Sequence, residues 1–286
     1  MRPSPVPRLR LFLLTVGWAA VFFGSSRYLA LALPRSVARE LSLEAYLAVV
    51  HVLTLLLALA AARAFVGTPD RVLGAIPPPV TAVATTLALT PLVFTASTSI
   101  AFLIARPTLI AELLRGGTEL AQKNTGEFGR ELTREPALVT VLWGAVVSPV
   151  SEELFFRGAL YSLVESLVPP AVVGRVTRSA LPVGVVAVAF GLLHWDMPGG
   201  LGIVRLVSAL GLGLACGVAR AATGSVVAAI LVHVPFNLLA IATVRRWAVF
   251  PSFPQKWGVP ILFWVAAALG AAGALALRYA LRPNRP

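Results

Sequence analysis

Residues 137–168 read ALVTVLWGAVVSPVSEELFFRGALYSLVESLV, an apolar run broken near its middle by Glu152, Glu153 and Arg157. A helix needs about 20 mostly apolar residues to cross the bilayer core, and this run is longer than that. A charged side chain at the centre of a membrane helix costs about 2.5–3.5 kcal/mol. Three of them facing lipid would cost on the order of 8–10 kcal/mol, comparable with the stability of a whole domain. The trio must therefore face a bundle interior or a watery cavity. Glu153 and Arg157 stand at i, i+4, where opposite charges meet on a helix. Glu152 lies about 100° round the helix from Glu153 and is left for chemistry. Pro149 removes the bond to the carbonyl of Ala145, which would kink the helix and open a cavity there. A structural ion pair stapling helices is the plainer reading of the trio. The second glutamate beside the pair weakens it.

The rest of the chain repeats this apolar character. Of 286 residues, 58% are hydrophobic and 13% charged, against about 45–50% and about 25% in soluble domains. That excludes an ordinary soluble globular protein. No polar linker divides the chain, so residues 1–286 read as one integral membrane domain, an all-α polytopic helix bundle with an interior polar cavity. Candidate spans lie near residues 11–33, 45–65, 80–105, 137–168, 181–196, 200–219, 221–244 and 257–277, about eight transmembrane helices. Pro77, Pro78 and Pro79 can open the third span but not continue a helix, so it should start near Val80. Residues 106–136 form a polar or amphipathic stretch, with Ile110, Leu113, Leu114 and Leu120 near helical spacing. The first span resembles a signal peptide, but Arg27 and Tyr28 separate it from the small triplet Ala30-Leu31-Ala32, which favours an uncleaved helix.

The net charge of +12 would suggest nucleic acid in a soluble protein. Here the basic residues are scattered between apolar runs with no aromatic-interleaved basic face. They read as anchors to lipid head groups, so membrane lipids and not nucleic acid are the expected partners. Basic residues divide evenly between alternate loops. Only the basic termini tilt the orientation, towards both ends in the cytoplasm. Arginine dominates the basic residues, and Ala, Gly and Pro abound. That composition is prokaryote-like and points to a cell inner membrane. The single cysteine, Cys216, allows no internal disulfide and no cysteine-based metal site.

Two of the three histidines stand where chemistry is possible. His194 ends an apolar run in Phe-Gly-Leu-Leu-His, and His233 lies in His-Val-Pro-Phe-Asn. Asn237, at i+4 from His233, shares its helix face. Taken singly, a histidine near a span end is an interfacial residue and an intramembrane asparagine is helix–helix glue. His51 lacks a charged or amide partner at helical spacing and reads as packing. The set carries more than its members: two glutamates, an arginine, two histidines and an asparagine in three successive polar breaks. A carboxylate with an imidazole can activate water as general base, leaving donors for an oxyanion. The same groups could instead hold a divalent metal.

Glu152-Glu153-x-x-x-Arg157, Phe190-x-x-x-His194 and His233-x-x-x-Asn237 resemble the three motifs of the CAAX prenyl endopeptidase and bacteriocin-processing (CPBP, or Abi) family of intramembrane proteases. The resemblance covers about residues 140–240 and places a catalytic core over 137–244. It implies a peptidase that hydrolyses bonds of membrane-associated substrates, either CAAX-type prenylated proteins or leader peptides. It implies further that Glu152 and His194 hold and activate the attacking water. His233 and Asn237 would stabilise the oxyanion, Glu153 and Arg157 would brace the first glutamate, and Phe190 would pack beneath His194. No cofactor is expected. The set lacks the His-x-x-x-His ligand pair of zincins, so no catalytic metal is expected, although two His and two Glu could bind zinc. Asp196 adds a carboxylate that could tune His194 or mark the span end. A non-catalytic scaffold or bacteriocin self-immunity protein of the same fold is the alternative. A proton-coupled carrier would suit buried Glu and His, but the internal repeats of such carriers are missing.

Overall fold

The computed structural model describes Leu56, residues 73–74, 76–114, 136–167, 175–195 and 199–245. The expected spans near 11–33, 45–65 and 257–277, and His51 and Asp196, lie outside the described residues. Everything with regular structure among the described residues is helical.

Helix α1 (Pro79–Leu114) opens at the triple proline, where the missing N–H groups fall in the unpaired first turn. It runs on past the expected end near 105, through Pro107 and into the stretch read as polar. Ile110, Leu113 and Leu114 lie in the last turns of α1, and the rest of the 106–136 stretch up to residue 135 lies outside the described residues. The central span is one continuous rod built of five pieces: α2 (Ala137–Thr140), π1 (Val141–Val147), α3 (Ser148–Glu153), π2 (Leu154–Leu160) and α4 (Tyr161–Leu167). The wide turn of π1 closes just before Pro149, which has no N–H to give, and the Ser148 N–H bonds the Trp143 carbonyl five residues back. Two π turns therefore bracket the short helix that carries both glutamates, and such turns are frequent at functional sites.

Helix α5 (Arg175–Leu193) is followed by α6 (Gly199–Thr223) and α7 (Val226–Val244). The break between α6 and α7 falls at Gly224 and Ser225, a few residues later than expected. Gly224 takes φ +71°, and its N–H caps the Arg220 carbonyl at 2.8 Å. That left-handed cap is the commonest helix stop, and glycine takes it without a Cβ clash. Ser225 then caps α7 by accepting the Val227 N–H at 3.2 Å.

Helix α6 is the hub, packed against α1, α5 and α7, while α7 also packs on α1, π1 and α3. Small residues make the closest approach. A Cβ on Gly213 would stand 3.0 Å from the Ala187 Cα in α5. Thr90 of α1 donates to the Val232 carbonyl of α7 at 3.2 Å, and Phe94 meets Phe236 edge-on at 5.3 Å. The core gathers Phe155, Phe156, Val186, Phe190, Cys216 and Val232. The outside is as apolar as the inside, with Val80, Leu87 and Leu138 each about seven-tenths exposed or more. Three helical stretches, Pro79–Ser97, Ala137–Ser166 and Gly202–Thr223, are long and apolar enough to cross a membrane. With their apolar outer faces, they mark an integral membrane protein.

Candidate active site

The rod α2–α4 delivers Glu152, Glu153 and Arg157 to the centre of the bundle. Arg157 Nη1 donates to Glu153 Oε1 at 2.7 Å, and both side chains are wholly buried. A buried pair of this kind repays its desolvation only if its remaining donors are satisfied as well. Here that is met in part: Arg157 Nη2 donates to the Gly213 carbonyl at 2.9 Å and the guanidinium lies 4.7 Å from the centre of the Phe190 ring, while Arg157 Nε and Glu153 Oε2 are buried without a hydrogen-bond partner among the described residues. The arginine thus binds the rod to α6 and α5 together, with a cation–π contact added.

Glu153 Oε1 also meets His233 Nδ1 at 2.8 Å. An ionised carboxylate only accepts, so Nδ1 carries the hydrogen and Nε2 is turned the other way. His233 Nε2 stands 3.9 Å from Glu152 Oε2. Glu152 Oε1 in turn accepts the Ser148 hydroxyl at 2.5 Å. The two glutamates differ in access: the side chain of Glu153 is 0% exposed and that of Glu152 is 22%. Glu153 is enclosed on all sides, whereas Glu152 is partly exposed although its Oε2 is buried.

Phe190, fully buried in α5, is the joint between the histidines. Its ring meets His233 edge-on at 5.6 Å and lies 4.6 Å from the ring of His194. His194 Nδ1 is 2.9 Å from the Phe190 carbonyl, which can only accept, so the neutral ring presents Nε2 as its acceptor. His194 joins the cluster through Phe190 and is half-buried at the end of α5. Asn237 Nδ2 donates to the Gly144 carbonyl of π1 at 2.9 Å, tying α7 to the rod one turn beyond His233. Arg245 Nη2, on Thr140 Oγ1 at 2.8 Å, repeats the tie at the end of α7.

The sequence reading missed three participants. Gly213 contributes only a carbonyl, which leaves no pattern in a sequence. Ser148 precedes Glu152 by four residues, and that spacing was a legible signal. Cys216 read as one more residue of an apolar run, yet the ligand atoms of Glu153, Cys216 and His233 lie within 4.8 Å of one another. This trio is a poor fit to a divalent cation. The Glu153 oxygen that faces His233 already carries the Arg157 guanidinium, and the Cys216 thiol is directed at the Ala229 carbonyl at 3.6 Å. A cation there would compete with a fixed positive charge for one carboxylate.

No curated protein and no solved structure matches this chain. A family model does match, over the segment that holds every motif residue, and it agrees with the resemblance read from the three motifs. Residues 134–239 match the family described as type II CAAX prenyl endopeptidase Rce1-like.

Proposed function

We propose that the protein is an intramembrane endopeptidase that hydrolyses peptide bonds of membrane-associated substrates, of the CAAX-prenylated or leader-peptide kind. The observation that carries this reading is the unequal pair of glutamates: a fully buried Glu153 tied to Arg157 and His233, and a partly exposed Glu152 whose enclosed Oε2 lies 3.9 Å from the far nitrogen of that histidine. That separation is too long for a direct hydrogen bond and suits two groups that share one water. The bundle would be one of about eight spans around an interior cavity, with the water held inside.

In this mechanism Glu152 takes a proton from the water, and the resulting hydroxide attacks the substrate carbonyl carbon. His194, with Nδ1 fixed on the Phe190 carbonyl, presents Nε2 as the acceptor that takes this proton on from Glu152 and gives it to the departing amine. Asn237, with one Nδ2 hydrogen spent on the Gly144 carbonyl, has a second for the oxyanion of the tetrahedral intermediate, and His233, whose Nδ1 hydrogen is held by Glu153, donates there once its Nε2 is protonated. Collapse of that intermediate expels the amine and leaves the new carboxylate. The prenyl chain or apolar leader would lie in lipid, beside the exposed apolar faces of the helices.

The test is cleavage of quenched-fluorescent peptides, one of them ending in a farnesylated CAAX sequence, by the purified protein in detergent. Cleavage should fall by at least about a thousandfold in Glu152→Gln, since the general base and its charge are both lost. Equal cleavage by the variant would remove Glu152 from the mechanism. Protection or binding that survives in Glu152→Gln while no peptide is cut would favour the scaffold or self-immunity reading.

A further inference from the structure

Most hydroxyls of the described bundle that make a hydrogen bond donate back along their own helix, with Thr90, on the Val232 carbonyl of α7, and Ser148 as departures. Thr85, Thr86, Ser97, Ser151 and Thr223 each donate back to the carbonyl one turn earlier. That back-bond is the usual resting place of a helical hydroxyl. Ser148 instead donates forward, to Glu152 Oε1. The carbonyl one turn before Ser148 belongs to Gly144, and it accepts Asn237 Nδ2 from the neighbouring helix. The backbone N–H of Ser148 goes to Trp143 in the wider π1 turn, so the serine sits where the ladder changes from π to α.

We infer that Ser148 is the positioning residue of the catalytic carboxylate, an inference that rests on the peptidase reading above. A glutamate has three rotatable bonds, and in a half-open site it would sample several rotamers. The serine holds Oε1, and with it turns Oε2 towards His233 Nε2 across the 3.9 Å where the water would sit. Misplacement of a reacting group by a fraction of an ångström to one ångström costs tens to about a hundredfold in rate. The hydroxyl touches the base and not the substrate, so its effect belongs to kcat.

The test compares wild type, Ser148→Ala, Ser148→Thr and Glu152→Gln as full-length proteins in detergent, matched for helical content and monodispersity, on the farnesylated CAAX peptide. Ser148→Ala is expected to lower kcat about tenfold, the scale of one hydrogen bond to a charged group, with KM changed by less than about twofold. Ser148→Thr keeps the hydroxyl and stays within about threefold of wild-type kcat. Infrared difference spectra supply a readout that needs no substrate: the carboxylate band removed by Glu152→Gln shifts in Ser148→Ala and not in Ser148→Thr. Unchanged kcat in Ser148→Ala, equal losses in the Ala and Thr variants, or an unmoved band would overturn the positioning role and leave the peptidase reading intact. A wild type that cleaves no better than Glu152→Gln overturns the peptidase reading, and the carboxylate band then decides whether Ser148 holds Glu152.

Discussion

Arg157 spends one N–H on Glu153, a second on the Gly213 carbonyl and its flat face on Phe190, so a change at this residue disturbs three elements at once. Arg157→Met leaves the Glu153 carboxylate buried without its cation, and breaking a buried pair in this way costs about 3–5 kcal/mol. We expect a fall of that size in unfolding free energy, read by denaturant titration in detergent, and an unchanged midpoint would show that Glu153 finds another partner. Arg157→Lys recovers only part of the loss, because one ammonium cannot fork between a carboxylate and a carbonyl on another helix. The charged pair itself was legible from the i, i+4 spacing. Its third partner was not, because the Gly213 carbonyl lies 56 residues away on another helix. The motifs likewise brought Glu152, His194 and His233 into view. Their joint through Phe190, and the turning of His233 between the two glutamates, needed the packed bundle.

At the level of the element, contacts between helices decide which glycines matter. A Cβ on Gly213 meets the Ala187 Cα of α5 at 3.0 Å, whereas a Cβ on Gly184 meets nothing within 4 Å. Gly213→Ala therefore pushes α5 from α6 and withdraws the carbonyl that holds Arg157, with a loss of about 1–3 kcal/mol. Gly184→Ala gains helix propensity and stabilises by about 0.5–1 kcal/mol. Thermal melts of the two variants should move in opposite directions, and a shared direction would contradict the packing described. Gly224→Ala meets no crowding but must adopt φ +71°, which costs about 1–2 kcal/mol and loosens the α6–α7 turn. The helical type of every described element could be read from its apolar run. The limits moved where local devices, which hydropathy does not see, stop or carry on a helix: the Gly224–Ser225 caps, and the continuation of α1 through Pro107.

Among the described residues, Glu153 and Arg157 are buried at the centre of the bundle while many large apolar side chains face outward, the reverse of a soluble protein. The donor set at that centre is a hydrogen-bonded network around an arginine and a poor fit to a cation. Peptide cleavage should accordingly survive prolonged treatment with phenanthroline or EDTA, and loss of activity restored by added zinc would show that a metal takes part after all. Composition and run length by themselves determined that this chain is a helical membrane protein, because lipid leaves the backbone no other way to satisfy its polar groups. The three motifs, read along the chain, also determined which charged and polar residues have no place in lipid and must share an interior. Only the tertiary structure decided how they divide the work. The exposure of each glutamate and the direction of each imidazole depend on neighbours from α5, α6 and α7. Those neighbours are set by side-chain packing across helices, where sequence separation carries no information about distance.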